Sequence, residues 1–197
     1  FNPDGYFVNQ PSQADAGGMT LAFHIRRTSG THFQWRSTGT PTYLFDIVRN
    51  NNGTTNRVVS LFKEAGFQNH LIGYVHFHNG SGTHAMISKI VFPGAANIIG
   101  DGSTKAVLFT WNGRTDGAGV PVDCHLYING VQCSENHSFY SGTAKARGLS
   151  NLYSPTQVTI ANRHDGSGDR KLRQDIQLGN VKFLTQFVGG FSTLHGS

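Results

Sequence analysis

Carboxylates are scarce in this chain of 197 residues: Asp and Glu together number 11, and only Glu64 and Glu135 are glutamates. Glycoside hydrolysis needs two carboxylates that act as acid and as nucleophile or base. No strand-like segment carries two acids at i, i+2, and no Glu-x-Asp-x-Glu run exists. Charge of either sign is also low, at 14% of residues, against a usual share of about 25%. Polar surface must therefore come from Asn, Ser, Thr, Gln and His, as in extracellular or particle-bound proteins. No apolar run of about 18 residues is present, so no membrane-spanning helix is expected. No Gly-x-Ser-x-Gly elbow marks a nucleophile, and Gly166-Ser-Gly168 lacks its spacing. The net charge is +5, but Lys and Arg are scattered apart from Arg170, Lys171 and Arg173. No nucleic-acid motif stands out, and no nucleic-acid partner is expected. Modest attraction to acidic glycans or anionic surfaces is compatible with the balance. No signal peptide is present and the chain starts at Phe1, which suggests a processed product or a domain of a longer protein.

What is abundant is glycine, with 25 residues, and phenylalanine, with 14. That mixture fits many short strands joined by glycine-rich turns. The stretch from Lys105 to Cys133 is the clearest case. Val107, Phe109 and Trp111 alternate with Ala106, Leu108 and Thr110, which is strand periodicity. Asn112-Gly113 reads as the end of that run. Val122, Cys124, Leu126 and Ile128 alternate with Asp123, His125 and Tyr127. Asn129-Gly130 is a two-residue hairpin signal. The hairpin sets Ile128 opposite Val131 and Leu126 opposite Cys133, with Val122 and Cys124 on the same apolar face. His125, Tyr127 and Gln132 fall on the other face. One dry face needs a second layer, so a sandwich is implied. The same register leaves the two cysteines, Cys124 and Cys133, about 7 Å apart, near the limit for bridging, and buried thiols are expected.

Further strands are expected at Phe1–Val8, Met19–Arg27, Thr31–Trp35, Thr42–Arg49, Val58–Phe62, Leu71–Phe77, Ala85–Val91, Val158–Asn162 and Leu172–Phe183. The last should carry a bulge near Gly179-Asn180. Pro93–Gly102 reads as a loop. The expected core holds Leu21, Phe23, Val107, Phe109, Trp111, Leu126, Ile128, Val158, Ile160, Val181 and Phe183. No repeat or domain boundary appears, so residues 1–197 form one domain. Sequons at Asn52, Asn79 and Asn136 fall in expected loops.

The motifs resemble the laminin-G-like, or concanavalin-A-like, jelly-roll family. Trp111-Asn-Gly followed by Leu126-Tyr-Ile-Asn-Gly-Val131 is similar to its central signature. Phe1-Asn-Pro-Asp-Gly-Tyr-Phe-Val8 resembles the family opening. Met19–Ile25, Val158–Asn162 with the loop after it, and Leu178–Phe183 are similar to later family strands. Gly179 and His24 depart from the pattern, so no ligand role is carried over to them. The resemblance covers nearly the whole chain. It implies an all-β, two-sheet antiparallel β-sandwich, a concanavalin-A-like jelly roll. It also implies non-catalytic recognition of a glycan or a protein, at loops or on a concave sheet face.

Several groupings could carry chemistry. His76 and His78 share one strand face, and His84 follows. Two or three histidines alone fall short of an organised zinc set. The Tyr-x-Lys and Arg-x-Glu partners of a lyase are missing. The loop after Val158–Asn162 is richer. Asn162, Arg163, His164, Asp165, Asp169 and Arg170 can hydrogen-bond sugar hydroxyls or pair with an acidic sugar. Asp165, Ser167 and Asp169 place oxygens at i, i+2 and i+4, as a calcium loop does. Arg170 occupies the glycine place of such a loop, and a turn held by Asx hydrogen bonds explains the same residues. His125 and Tyr127 complete the candidate binding set, since an aromatic beside polar groups suits a sugar. Trp35, Tyr43, Tyr74, Phe77, Tyr140 and Tyr153 are further available aromatics.

A recognition or adhesion module is therefore expected, extracellular or on a cell or virion surface, with calcium as the one candidate cofactor. A structural domain of a capsid decoration or tail fibre is the alternative, and a carbohydrate-active hydrolase or lyase is the second. The apolar segment Phe92-Pro-Gly-Ala-Ala-Asn-Ile-Ile99, read as an exposed loop, predicts self-association or attachment to a larger assembly.

Overall fold

The computed structural model describes residues 19–27, 41–51, 54–64, 70–78, 85–99, 102–115, 120–141, 157–161 and 176–184. The expected strands at Phe1–Val8 and Thr31–Trp35 lie outside them. Eleven strands and one short helix are assigned among the described residues: β1 (Met19–Arg27), β2 (Thr42–Asn51), β3 (Thr54–Lys63), β4 (Leu71–His78), β5 (Ala85–Phe92), α1 (Ala95–Ile99), β6 (Lys105–Thr115), β7 (Pro121–Ile128), β8 (Val131–Gln132), β9 (Asn136–Ser141), β10 (Gln157–Ile160) and β11 (Ile176–Leu184). No helix among the described residues is long and apolar enough to cross a membrane.

Two sheets form, with every pairing antiparallel. One has five strands in the order β11-β1-β6-β7-β8, and the other has six in the order β10-β2-β3-β4-β5-β9. The all-β two-sheet sandwich is thus established. Alternation explains the layers. Met19, Leu21, Phe23 and Ile25 of β1 and Val107, Phe109 and Trp111 of β6 are buried in one core with Phe45, Ile47, Leu61, Leu71, Ile90 and Phe92 of the other sheet. The sheets interlock through rings. Phe23 meets Phe45 at 4.8 Å between centroids, and Phe109 meets Phe92 edge-on at 6.0 Å.

Gly73 of β4 leaves the space that Phe109 fills. A Cβ there would come within 2.9 Å of Phe109 Cζ and 3.2 Å of its Cε2. Gly73→Ala should therefore overpack the core and cost about 1–3 kcal/mol, read as a lower urea midpoint at unchanged slope.

The hairpin forms as the sequence implies. Asn129 and Gly130 both have positive φ, at 51° and 83°. Asn129 fastens the turn, donating from its backbone N–H to the Ala106 carbonyl and accepting from the Ala106 N–H through Oδ1, each at 2.8 Å. Cys124 and Cys133 are buried free thiols.

Bulges account for two of the misplaced apolar residues, Val122 and Val181. Between β6 and β7 the register shifts from Trp111↔Cys124 to Arg114↔Val122. Asn112-Gly113 thus does not end the strand; it is the bulge. Asp123 sits at φ 48°, and Asn112 Nδ2 donates to Asp123 Oδ2 at 2.8 Å. The broken alternation turns Pro121 inward and leaves Val122 exposed. A second bulge lies in β11, as expected near Gly179-Asn180. Ala22 pairs with Lys182 but His24 pairs with Gly179, and Asn180 has φ 50°. The inserted residue lets Leu178 and Phe183 both pack on the core and turns Val181, expected inside, to the surface.

Two further exposures come from edges. Val131, expected on the apolar face, is 71% exposed, because β8 is a two-residue edge strand beside the turn. Ile160, expected in the core, is about half exposed, since among the described residues β10 stands at the edge of its sheet and pairs only with β2. The Val158 side chain lies outside the described ones.

The expected apolar loop is a correction of larger consequence. Phe92, Ala95, Ala96 and Ile99 are fully buried, and of the segment's apolar residues Ile98 alone is exposed. The segment folds into α1, opened by Gly94 at φ 76°, whose carbonyl accepts from the Asn97 and Ile98 N–H groups. Small alanines let the turn seat Ile99 in the core. The segment therefore gives no reason for self-association.

Candidate functional site

The chain leaves β8 at Gln132 and enters β9 at Asn136, so Cys133–Glu135 crosses from one sheet to the other. The crossing is pinned by the Cys133 N–H, which donates to the Leu126 carbonyl at 2.8 Å. This keeps Cys133 on the core side and carries Glu135 to the seam. Asn136, expected in a loop, instead opens β9 with its side chain exposed.

Glu135 lies between two histidines. Its Oε1 is 2.7 Å from His125 Nδ1 and 3.4 Å from His137 Nε2. His125 belongs to β7 and His137 to β9, so one carboxylate spans both sheets. His137 Nδ1 is 2.8 Å from the Pro121 carbonyl. A carbonyl only accepts, so Nδ1 carries a proton. In the neutral ring Nε2 is then a lone pair facing a carboxylate, and a proton on it would make that approach a donor–acceptor contact. Glu135 Oε2 and His137 Nε2 are both buried and find no hydrogen-bond partner among the described residues.

The tautomer of His125 follows from the same logic. A carboxylate at 2.7 Å requires a hydrogen between the atoms, so Nδ1–H donates to Glu135. Gln132 Nε2 is 3.1 Å from that same nitrogen and 3.5 Å from Glu135 Oε1. It cannot donate to a nitrogen that already carries its proton, so the carboxylate is its acceptor. Tyr127 sits beside His125 with ring centroids 6.2 Å apart, edge to face. Gln132 pairs with Tyr127 directly across the β7–β8 ladder.

The carboxylate is felt by its neighbours. Burial, reinforced by Glu135, raises the Tyr127 hydroxyl, pushes the Cys124 thiol well up, and takes the Cys133 thiol to about 11. The thiols are thus kept neutral. A folded-state value above the unfolded one gives stability that is present below the unfolded thiol's pKa near 9 and lost as pH rises through about 11. Unfolding midpoints should fall across that alkaline interval, and Cys133→Ala should flatten the fall.

The expected pair His125 and Tyr127 is thus brought together with Gln132, on the outward face of β7 and β8. Asn162, Arg163, His164, Asp165, Ser167, Asp169 and Arg170 lie outside the described residues, as do His84 and the side chains of His76 and His78. Among the described residues no group of three or more His, Cys, Asp or Glu could hold a metal ion. Glu135 and His137 were not legible as site residues. The signal was the hairpin register: Gln132 opposite Tyr127 sends the next residues past His125.

No family model matches the sequence, and no curated protein matches it. Among solved structures, the botulinum neurotoxin serotype G binding domain is similar over 92% of this chain, at 12% identity and a TM-score of 0.47. The receptor-binding domain of botulinum neurotoxin mosaic serotype C/D is similar over 88%, at 10% identity and a TM-score of 0.42. The match spans about a third of each of those chains, 36% and 34%.

Proposed function

We propose that the chain is a non-catalytic recognition module of the laminin-G-like jelly-roll class, working outside the cell or on a cell or particle surface. It binds a glycan or protein ligand on the outward face of β7 and β8. The observation that supports this reading is the grouping of a phenol, an imidazole and an amide, from Tyr127, His125 and Gln132, on a rigid sheet. An aromatic ring beside convergent polar groups is the composition of a sugar or peptide contact. Glu135 holds the imidazole in place at 2.7 Å, so little ordering is needed on binding.

Glycan and protein arrays probed with the wild type and with His125→Ala, Tyr127→Ala test the reading. The wild type should give a defined set of hits, and the double variant should lose them by at least about tenfold while keeping its fold. Hits retained by the double variant would remove this face from the proposal. The loop 162–170 is proposed as a second rim. Asp165→Ala, Asp169→Ala should fold and lose ligand or calcium binding. Calcium that neither raises the parent's melting temperature nor binds by calorimetry would remove the ion.

A further inference from the structure

We infer that Glu135 sets the ligand class of the β7–β8 face: it takes the His125 Nδ1 hydrogen bond, leaves Nε2 as an acceptor, and so selects a neutral, hydroxyl-bearing ring ligand over an anionic one. This rests on the recognition reading above and names its substrate class. Three observations carry it.

First, the 2.7 Å contact with a carboxylate oxygen places a hydrogen on Nδ1. A neutral imidazole with Nδ1–H has only a lone pair at Nε2, and no described group partners it. A hydroxyl can donate there, whereas a sulfate or carboxylate oxygen cannot. Second, Tyr127 supplies a ring with an apolar face next to that acceptor, and Gln132 across the ladder supplies an amide that both donates and accepts. An alternation of apolar ring face and hydroxyl edge is the chemistry of a saccharide. Third, the carboxylate of Glu135 lies within the same cluster and repels anions at short range. The overall charge of +5 points the opposite way, toward acidic ligands, so the local site and the global field make different forecasts.

Glu135 is thus a positioning residue, acting through His125. Long-range proton–nitrogen NMR of the full chain at neutral pH reads the His125 ring directly. The neutral Nδ1–H form is expected, and either the Nε2–H form or the doubly protonated ring overturns the inference whatever the ligand. Neutral oligosaccharides and their sulfated or sialylated counterparts are then compared on one array. Neutral hits should exceed acidic ones, and His125→Ala should weaken them about tenfold, the worth of one hydrogen bond. Glu135→Gln keeps the shape and removes the charge, so the preference should shift toward the sulfated counterparts about tenfold. A merely structural role for Glu135 would leave that ratio unmoved, and an unmoved ratio overturns the inference. Acidic hits stronger than neutral ones in the wild type overturn it too, while leaving recognition intact. An array with no hits of any kind, glycan or protein, removes the recognition reading instead.

Discussion

Phe109→Ala should lower the unfolding free energy by about 3–5 kcal/mol, the largest effect of any single truncation considered. Phe109 is fully buried on the central strand of the five-stranded sheet. Its ring fills the space above Gly73 and packs edge-on against Phe92, so one residue joins β6 to β4 and β5. Both neighbours are backbone or ring atoms of buried strands, so the cavity cannot collapse cheaply. Chemical denaturation of the variant measures the loss. A midpoint equal to the wild type's would mean that β6 does not face the second sheet.

Glu135→Ala should be the next most damaging change, at about 2 kcal/mol. It removes the acceptor of the His125 Nδ1–H and of the Gln132 amide, and it leaves two imidazoles at the seam without the group between them. His137 keeps its bond to the Pro121 carbonyl, so β9 stays attached and the variant should still fold. Glu135→Gln should cost less, because an amide oxygen still accepts. If Glu135→Ala proves as stable as the wild type, the seam is held by packing alone.

Most of the sandwich is legible where one face of a strand is apolar. Met19 to Ile25 alternates without interruption, and β1 is found at Met19–Arg27 as expected. Asn129-Gly130 announces its turn because few other residues accept two positive φ values in succession. Bulges are less legible, since they depend on the partner strand. Asn180 has a local signal in the adjacent glycine, and the bulge there is expected, yet its effect on Val181 is a matter of parity along the ladder. Asn112-Gly113 has the composition of a turn, and only pairing with β7 makes it a bulge. The segment Phe92–Ile99 reads the same whether exposed or buried, because small apolar residues carry no marker of what covers them. The cluster at the seam is the least legible feature. The hairpin register carries the chain past His125, but His137 comes from the other sheet, and nothing in local sequence says that the chain crosses to it there. Residues 162–170 stand out in the sequence because their types are chemically rich within one short stretch.

The most direct test of the account is an NMR titration of the full chain with a neutral oligosaccharide taken from the array hits. Shifts should centre on Tyr127, Gln132 and the ring of His125, and His125→Ala should raise the ligand concentration needed for the Tyr127 and Gln132 shifts about tenfold. Shifts confined to other surfaces, with His125 and Tyr127 unmoved at saturation, would contradict it.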